Sequence, residues 1–163
     1  MDFEQLMPGD EKKLLAMSAM ATEIVREHFD PIIGKAQNDY MIEKFQSPHA
    51  IKKQLQQGYR YYFVFLGGQK IGFLAFCPKG SALYLSKLYL YKDYRGKGYS
   101  KQMLAFVIQA AREYGFSSIE LNVNRNNSAV QVYKKLGFQL LREEKNDIGS
   151  GFYMDDFVFS LTI

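Results

Sequence analysis

The sequence predicts an α+β fold in a single domain spanning residues 1–163, and three observations carry that prediction. Strand-like runs occur in hairpin-like pairs before and after one strand–helix–strand unit. A chain of 163 residues, 47% of them apolar, is long enough to bury one substantial core. No internal repeat, low-complexity tract or linker divides it.

Between Asp10 and Phe29, the residues Leu14, Leu15, Met17, Met20, Ile24 and Val25 recur at helical spacing, with Asp10 as N-cap, so a first helix is expected to end near Pro31. Tyr40 to Phe45 reads as a second helix. A third begins at Ser47-Pro48, a cap followed by proline at the first helical position, and closes at Gly58. Tyr59 to Leu66 and Lys70 to Phe76 flank Gly67-Gly68, a hairpin signal. After a turn at Pro78 to Ser81, Leu83 to Tyr91 is the central strand, expected to alternate Leu83, Leu85, Lys87 and Tyr89 against Tyr84, Ser86, Leu88 and Leu90. Ser100 to Tyr114 is an amphipathic helix ended by Gly115. Ser118 to Val123 is a strand, Ser128 to Leu136 a helix ended by Gly137, and Phe138 to Glu144 and Gly151 to Thr162 are the final strands.

Composition narrows the function classes. No run approaches the roughly 20 apolar residues of a membrane helix, and the start lacks the order of a secretory signal, so a soluble, cytoplasmic chain is expected. The lone Cys77 excludes an internal disulfide and a cysteine-cluster metal site, and reads as a small buried hydrophobe. His28 and His49 lie far apart and suggest neither a metal pair nor a catalytic dyad; no metal is expected. The net charge of +4 favours polyanions without choosing among them, but Lys92, Arg95, Lys97 and Lys101 gather around one glycine loop. No base-reading motif accompanies them, so a nucleic-acid partner is not expected.

That loop, Tyr94-Arg95-Gly96-Lys97-Gly98-Tyr99-Ser100, sits where a strand passes to a helix. Free amides and the helix dipole favour an anion there, and glycines let the backbone approach phosphate oxygens. Alone, the pattern is equally that of a tight turn. It lacks the Walker spacing, and Lys101 occupies the third glycine of the dinucleotide fingerprint.

About thirty residues on, the chain reads Asn126-Asn127-Ser128-Ala129, then Tyr133, then Gly137-Phe138. Together with the glycine loop this resembles the GNAT superfamily of N-acetyltransferases, over roughly Ile71 to Phe138. The resemblance implies a mixed, largely antiparallel sheet of about seven strands, flanked by helices and splayed where acetyl-CoA binds. It also implies direct acetyl transfer to a primary amine within a ternary complex. On the family pattern, Leu88, Tyr89 and Leu90 would pair with the pantetheine arm. Arg95, Gly96, Lys97, Gly98, Tyr99 and Ser100 would hold the pyrophosphate through main-chain amides. Asn126 would bond the cofactor, Lys135 would lie towards its nucleotide end, and Tyr133 would stand by the thioester sulfur as general acid. Ser100 replaces the usual last Gly or Ala of the loop but retains its N–H.

The general base departs from the family pattern, because Ser86 and Asn122 stand where many relatives carry glutamate. Glu120, two residues before Asn122 on the same strand face, is a candidate base acting through water, or simply a solvated strand residue. The region Phe29 to Phe76 and the C-terminal strand look like the bacterial polyamine acetyltransferase branch. Asp155 and Asp156 are candidate acceptor-binding carboxylates, or a structural acidic pair. The acceptor is thus expected to be a small amine such as a polyamine. The alternatives are a catalytically silent acyl-CoA-binding module and an acetyltransferase of peptide N-termini. An exposed C-terminal edge strand would also allow a homodimer by strand pairing.

Overall fold

The computed structural model describes residues 1–163. Seven strands form one sheet in the order β1-β2-β3-β4-β5-β7-β6. They are β1 (Asp2–Gln5), β2 (Arg60–Leu66), β3 (Gln69–Lys79), β4 (Ala82–Leu90), β5 (Ser118–Asn124), β6 (Gln139–Gly149) and β7 (Phe152–Thr162). All neighbouring pairs are antiparallel except β4 with β5. This is the mixed, mainly antiparallel sheet expected. Helices α1 (Glu11–Ile33), α2 (Lys35–Gln46) and α3 (Pro48–Gln56) precede β2, α4 (Tyr99–Glu113) joins β4 to β5, and α5 (Ala129–Lys135) joins β5 to β6. No helix is long and apolar enough to cross a membrane.

The two sheet faces bury separate cores. On one, Leu74, Phe76, Leu85, Leu121 and Phe159 pack under Met103, Leu104 and Val107 of α4. On the other, Tyr61, Phe63, Phe73 and Ala75 pack under Leu14, Met17, Met20 and Ile24 of α1 and Ile51 of α3. The apolar spacing read from the sequence is therefore what attaches each helix to its face.

The helix starts obey local chemistry. Asp10 accepts from the Lys13 amide at 3.1 Å, and Ser47 from the Ala50 amide at 3.2 Å. Helix α1 runs past the expected stop at Pro31, because a proline in the last turn sacrifices one hydrogen bond while the Gly34 amide still closes on the Asp30 carbonyl. The short, polar β1 was not expected. It is held by pairing with β2 and by Phe3 stacked on Phe106, with ring centroids 4.0 Å apart.

The central strand departs from simple alternation. The β3–β4 register steps from Ala75↔Lys87 to Phe76↔Leu85, leaving Ser86 as an inserted residue. Its hydroxyl donates to the Ala75 carbonyl at 3.2 Å. The bulge resets the parity: Leu85, Leu88 and Leu90 share the α4 side, while Tyr89 packs on the α1 side. Lys87 reaches that second side too, between Tyr61 and the ends of α2 and α3. At the far end of β4, Gly72 opposes Leu90, and a Cβ there would lie 2.1 Å from the Tyr89 carbonyl oxygen, so only glycine permits this approach of β3.

Candidate active site

Strands β4 and β5 pair only through Ala82↔Ser118, Leu83↔Ile119 and Tyr84↔Glu120. Beyond Tyr84 they diverge, and backbone polar groups facing the gap lose their strand partner. The gap opens into a cavity of about 400 Å³ lined by β4 from Tyr84 to Leu90, β5 from Leu121 to Asn124, the ends of α1 and α2, the start of α4 and α5, and Met154 and Asp156 of β7.

At one end lies the glycine loop. Gly96 and Gly98 adopt φ of 74° and 81°, in the left-handed region that disfavours side chains. The amides of Gly96, Lys97 and Gly98 donate to no protein acceptor, and those of Tyr99, Ser100 and Lys101 open the first turn of α4 without an acceptor. Six consecutive amides are thereby free at the positive end of a fifteen-residue helix. Arg95 is steadied by its Nε donating to the Leu90 carbonyl at 3.1 Å, which ties the loop to the end of β4.

Of the residues expected to meet the cofactor, Leu88, Tyr89, Leu90, Arg95, Gly96, Ser100 and Tyr133 line the cavity. Lys97, Gly98 and Tyr99 belong to the loop but lie outside the lining, as do Asn126 and Lys135, both exposed. The neighbouring Asn127 takes the inward place: it is buried, its Oδ1 accepts from the Ala129 amide at 2.9 Å, and it lies 3.1 Å from His28 Nε2. Sequence reasoning missed both His28 and Asn127. An Asn-Asn pair before a helix signals a cap, but nothing local says which of the two turns inward. Burial lowers the His28 pKa, with the Asn127 contact opposing and Arg95 adding to the fall.

Tyr133 projects from α5 into the cavity, its ring edge-on to Phe138 at 5.5 Å. Burial raises its pKa, with Tyr89 adding a smaller push, so the phenol keeps its proton at neutral pH. Tyr89, held between Phe29 and Phe73, is likewise pushed up to about 12 by burial first and Asp156 second.

The three candidate carboxylates separate. Glu120 is outside the cavity lining, and its Oε1 lies 3.2 Å from Arg142 Nη2 and 3.4 Å from Lys79 Nζ. Asp155 is half-exposed and paired with Arg125 Nε at 3.0 Å, also outside the lining. Asp156, the next residue on a strand and so on the opposite face, is 3% exposed and lines the cavity. Tyr84 OH donates to Asn122 Oδ1 at 3.0 Å, and Asn122 Nδ2 donates to Asp156 Oδ2 at 3.3 Å. Burial raises the Asp156 pKa; the Asn122 bond opposes this, while Asp155 and Glu144 add to it.

Lys87, read from the sequence only as one position in the alternation of the central strand, is a buried cation on the same lining. Its Nζ meets the Phe45 carbonyl and Gln46 Oε1, each at 2.9 Å, Gln54 Oε1 at 3.3 Å, and the Tyr61 hydroxyl. Burial pushes its pKa down to about 7. Four oxygens around one nitrogen, including two at the end of α2, favour the ammonium, since a neutral amine offers two donors where an ammonium offers three. We read it as an ammonium.

Comparison with known proteins agrees with this geometry. A family model described as an acetyltransferase (GNAT) domain matches residues 29–153. A Bacillus subtilis (strain 168) protein, an uncharacterized N-acetyltransferase, is 49% identical over 51 residues, 31% of this chain and 33% of that protein. A probable spermine N(1)-acetyltransferase of Bacillus subtilis subsp. natto is 36% identical over 63 residues, 37% of this chain and 41% of that protein. The chain's matches thus span well under two thirds of the length of either relative. Among solved structures, the PaiA N-acetyltransferase of Thermoplasma acidophilum, in complex with coenzyme A, superposes with a TM-score of 0.77 at 21% identity, covering 100% of both chains. A ribosomal-protein-alanine N-acetyltransferase of Brucella melitensis gives 0.68 at 17% identity, again over 100% of both. At such identities the likeness is one of fold. The family match, by contrast, runs from the end of α1 into β7 and takes in the walls of the cleft on both sides of β4, and on that ground the chain belongs to the GNAT acetyltransferase family.

Proposed function

We propose that this chain is an acetyl-CoA-dependent N-acetyltransferase of one domain that acetylates a small primary amine. The observation that carries this reading is the run of six free amides from Gly96 to Lys101 beside the splayed end of β4, a fit for a pyrophosphate followed by an extended amide-bearing arm. Leu88 to Leu90 would bind that arm through the backbone, with Arg95 and the loop amides on the diphosphate and Asn127 in the place first given to Asn126. Lys97 and Lys135, both exposed, would act on the cofactor's phosphates only through the longer-range field.

Bound acetyl-CoA would supply the acetyl thioester. An alkylammonium has a pKa near ~10 and must lose a proton before its nitrogen can attack the acetyl carbon. Asp156, inside the cavity, takes that proton in place of Glu120, whose carboxylate is engaged by two cations outside it. As the C–N bond forms and the C–S bond breaks, Tyr133 gives its phenolic proton to the departing sulfur and recovers one from the nitrogen. One proton thus ends on the thiol and one leaves through Asp156. The polyamine reading draws support from the spermine acetyltransferase relative; strand pairing through the exposed β6 edge is the route we propose for any homodimer.

Calorimetry with acetyl-CoA, followed by thiol release with amines, tests the reading. Tyr133→Phe should lower kcat by about 100-fold or more, the usual worth of a general acid, with acetyl-CoA affinity preserved. An unchanged kcat would remove Tyr133 from the chemistry, binding without any turnover would favour a silent acyl-CoA module, and no acetyl-CoA binding would end the assignment.

A further inference from the structure

The acceptor end of the cavity carries a charge pattern more specific than "small amine". Its walls are mainly Val25, Phe29 and Ile33 of α1, Met41 and Phe45 of α2, and Met154 of β7, with Gln37 and Gln46 as the polar side chains of α2 among them. The first six side chains are aliphatic, aromatic or thioether. Among the ionisable residues of the whole lining, the only carboxylate is Asp156; His28, Lys87 and Arg95 are bases, and Tyr84, Tyr89 and Tyr133 are phenols that burial keeps protonated. Glu144, the next acid along the Asn122 network, is held by Arg142 and Asn146 and does not reach the lining.

A polyamine carries a cation every few carbons, and each buried cation needs an anionic or strongly dipolar partner. Here the first ammonium would find Asp156, whose Oδ1 makes no hydrogen bond within the protein. A second would find no further carboxylate: beside thioethers and aromatic edges the wall offers the neutral Gln37 carboxamide and the Lys87 ammonium, and Gln46 Oε1 is already engaged by Lys87. The aliphatic body of a monoamine, in contrast, matches that wall by simple transfer from water, gaining with each CH₂ it buries.

We infer, on the basis of the acetyltransferase reading, that the acceptor is an apolar primary monoamine, its single ammonium held on Asp156 and its alkyl or aryl body packed between α1, α2 and Met154. Asp156 is then at once the anchor of the amine and the limit on its charge. Zwitterionic amino acids are disfavoured too: Lys87 is committed to the Phe45 carbonyl, Gln46, Gln54 and Tyr61, and Arg95 to the Leu90 carbonyl, so a carboxylate would lie beside apolar wall residues without a free cation.

The test uses the full chain with saturating acetyl-CoA and compares hexylamine, phenethylamine, spermidine and glycine by thiol release and product mass. In parallel, calorimetry follows each amine onto the protein loaded with coenzyme A. The expected result is a kcat/KM for the monoamines at least tenfold above that for spermidine and glycine, with binding in the same order. Asp156→Asn, nearly isosteric, should erase monoamine binding while leaving acetyl-CoA affinity unchanged. Spermidine preferred in turnover or in binding would overturn the inference while leaving the acetyltransferase reading intact. So would monoamines neither bound nor turned over by protein that binds acetyl-CoA, or monoamine binding that survives Asp156→Asn. Loss of acetyl-CoA binding in the wild type would instead strike the parent reading.

Discussion

The two walls of the cleft, which share β4 and which we propose for cofactor and acceptor, are built on different principles. The cofactor wall is local: residues 95–101 present six free amides in a row, and their geometry follows from two glycines and a helix start. The acceptor wall is assembled from afar. Lys87 meets carbonyl and amide oxygens about forty residues earlier in the chain, and Asp156 joins Asn122 across thirty-four. A ligand held by backbone can be read from a short motif, whereas a ligand held by side chains is visible only once the sheet order is known. Outside Gly96 and Gly98, whose positive φ demands glycine, the first wall therefore tolerates side-chain change, and the second does not.

Lys87→Met is the strongest test of that difference after loss of the Tyr133 hydroxyl. Without the ammonium, the Phe45 carbonyl and Gln46 Oε1 at the end of α2 lose their donor, a cost of about 1–3 kcal/mol for buried acceptors left unpaired. Relief of the lysine's own desolvation offsets part of it. Because α2 supplies Gln37, Met41 and Phe45 to the cavity, its loosening should raise KM for the amine by about tenfold, the equivalent of 1.4 kcal/mol. Acetyl-CoA affinity, measured by calorimetry, should stay within about twofold. An equal loss on both ligands would break the comparison, since the walls would then be one mechanical unit.

The same contrast explains what the sequence disclosed. Helix caps at Asp10 and Ser47, the glycine loop and the strand–helix–strand core were legible because each depends on residues within a few positions. The alternation of β4 was misread after Leu85, since the inserted Ser86 is created by pairing with β3 and leaves no local signature. Two adjacent aspartates could be named but not ranked. Only the β5–β7 pairing of Asn124 with Asp156 turns one into the cleft, leaving the other to Arg125. Glu120 had the right strand, but its partners on β3 and β6 lie far off in the chain.

Asp156→Asn carries a second, smaller signature, in stability. A carboxyl whose folded pKa is raised costs the native state above that pKa, where the group must ionise in a buried place, and costs nothing below the unfolded value near ~3.9. The variant lacking ligands should therefore melt above the wild type at neutral pH. The difference should close as pH falls through the raised Asp156 pKa towards the ordinary carboxylate range. Thermal melts across that range would show it, and a variant melting lower at neutral pH would mean that Asp156 holds the fold together rather than serving the cleft at the fold's expense. Glu144, Asp155, Tyr84 and Tyr89 surround the group, and none of them is a cation, which is why the penalty is not cancelled.

Lys97→Ala should produce the smallest effect, and its size is informative for that reason. If the diphosphate is held by backbone amides, an exposed lysine outside the lining contributes only screened attraction, about 0.2–1 kcal/mol as for other exposed charges. Acetyl-CoA affinity should then weaken by about 1.4- to fivefold at low ionic strength, and by almost nothing in salt above about 0.15 M, where the Debye length is about 8 Å. A loss of about tenfold that persists in salt would place the lysine in direct contact with phosphate. The cofactor wall would then depend on its side chains as the acceptor wall does, and the distinction between the two would fail at the loop that motivates it.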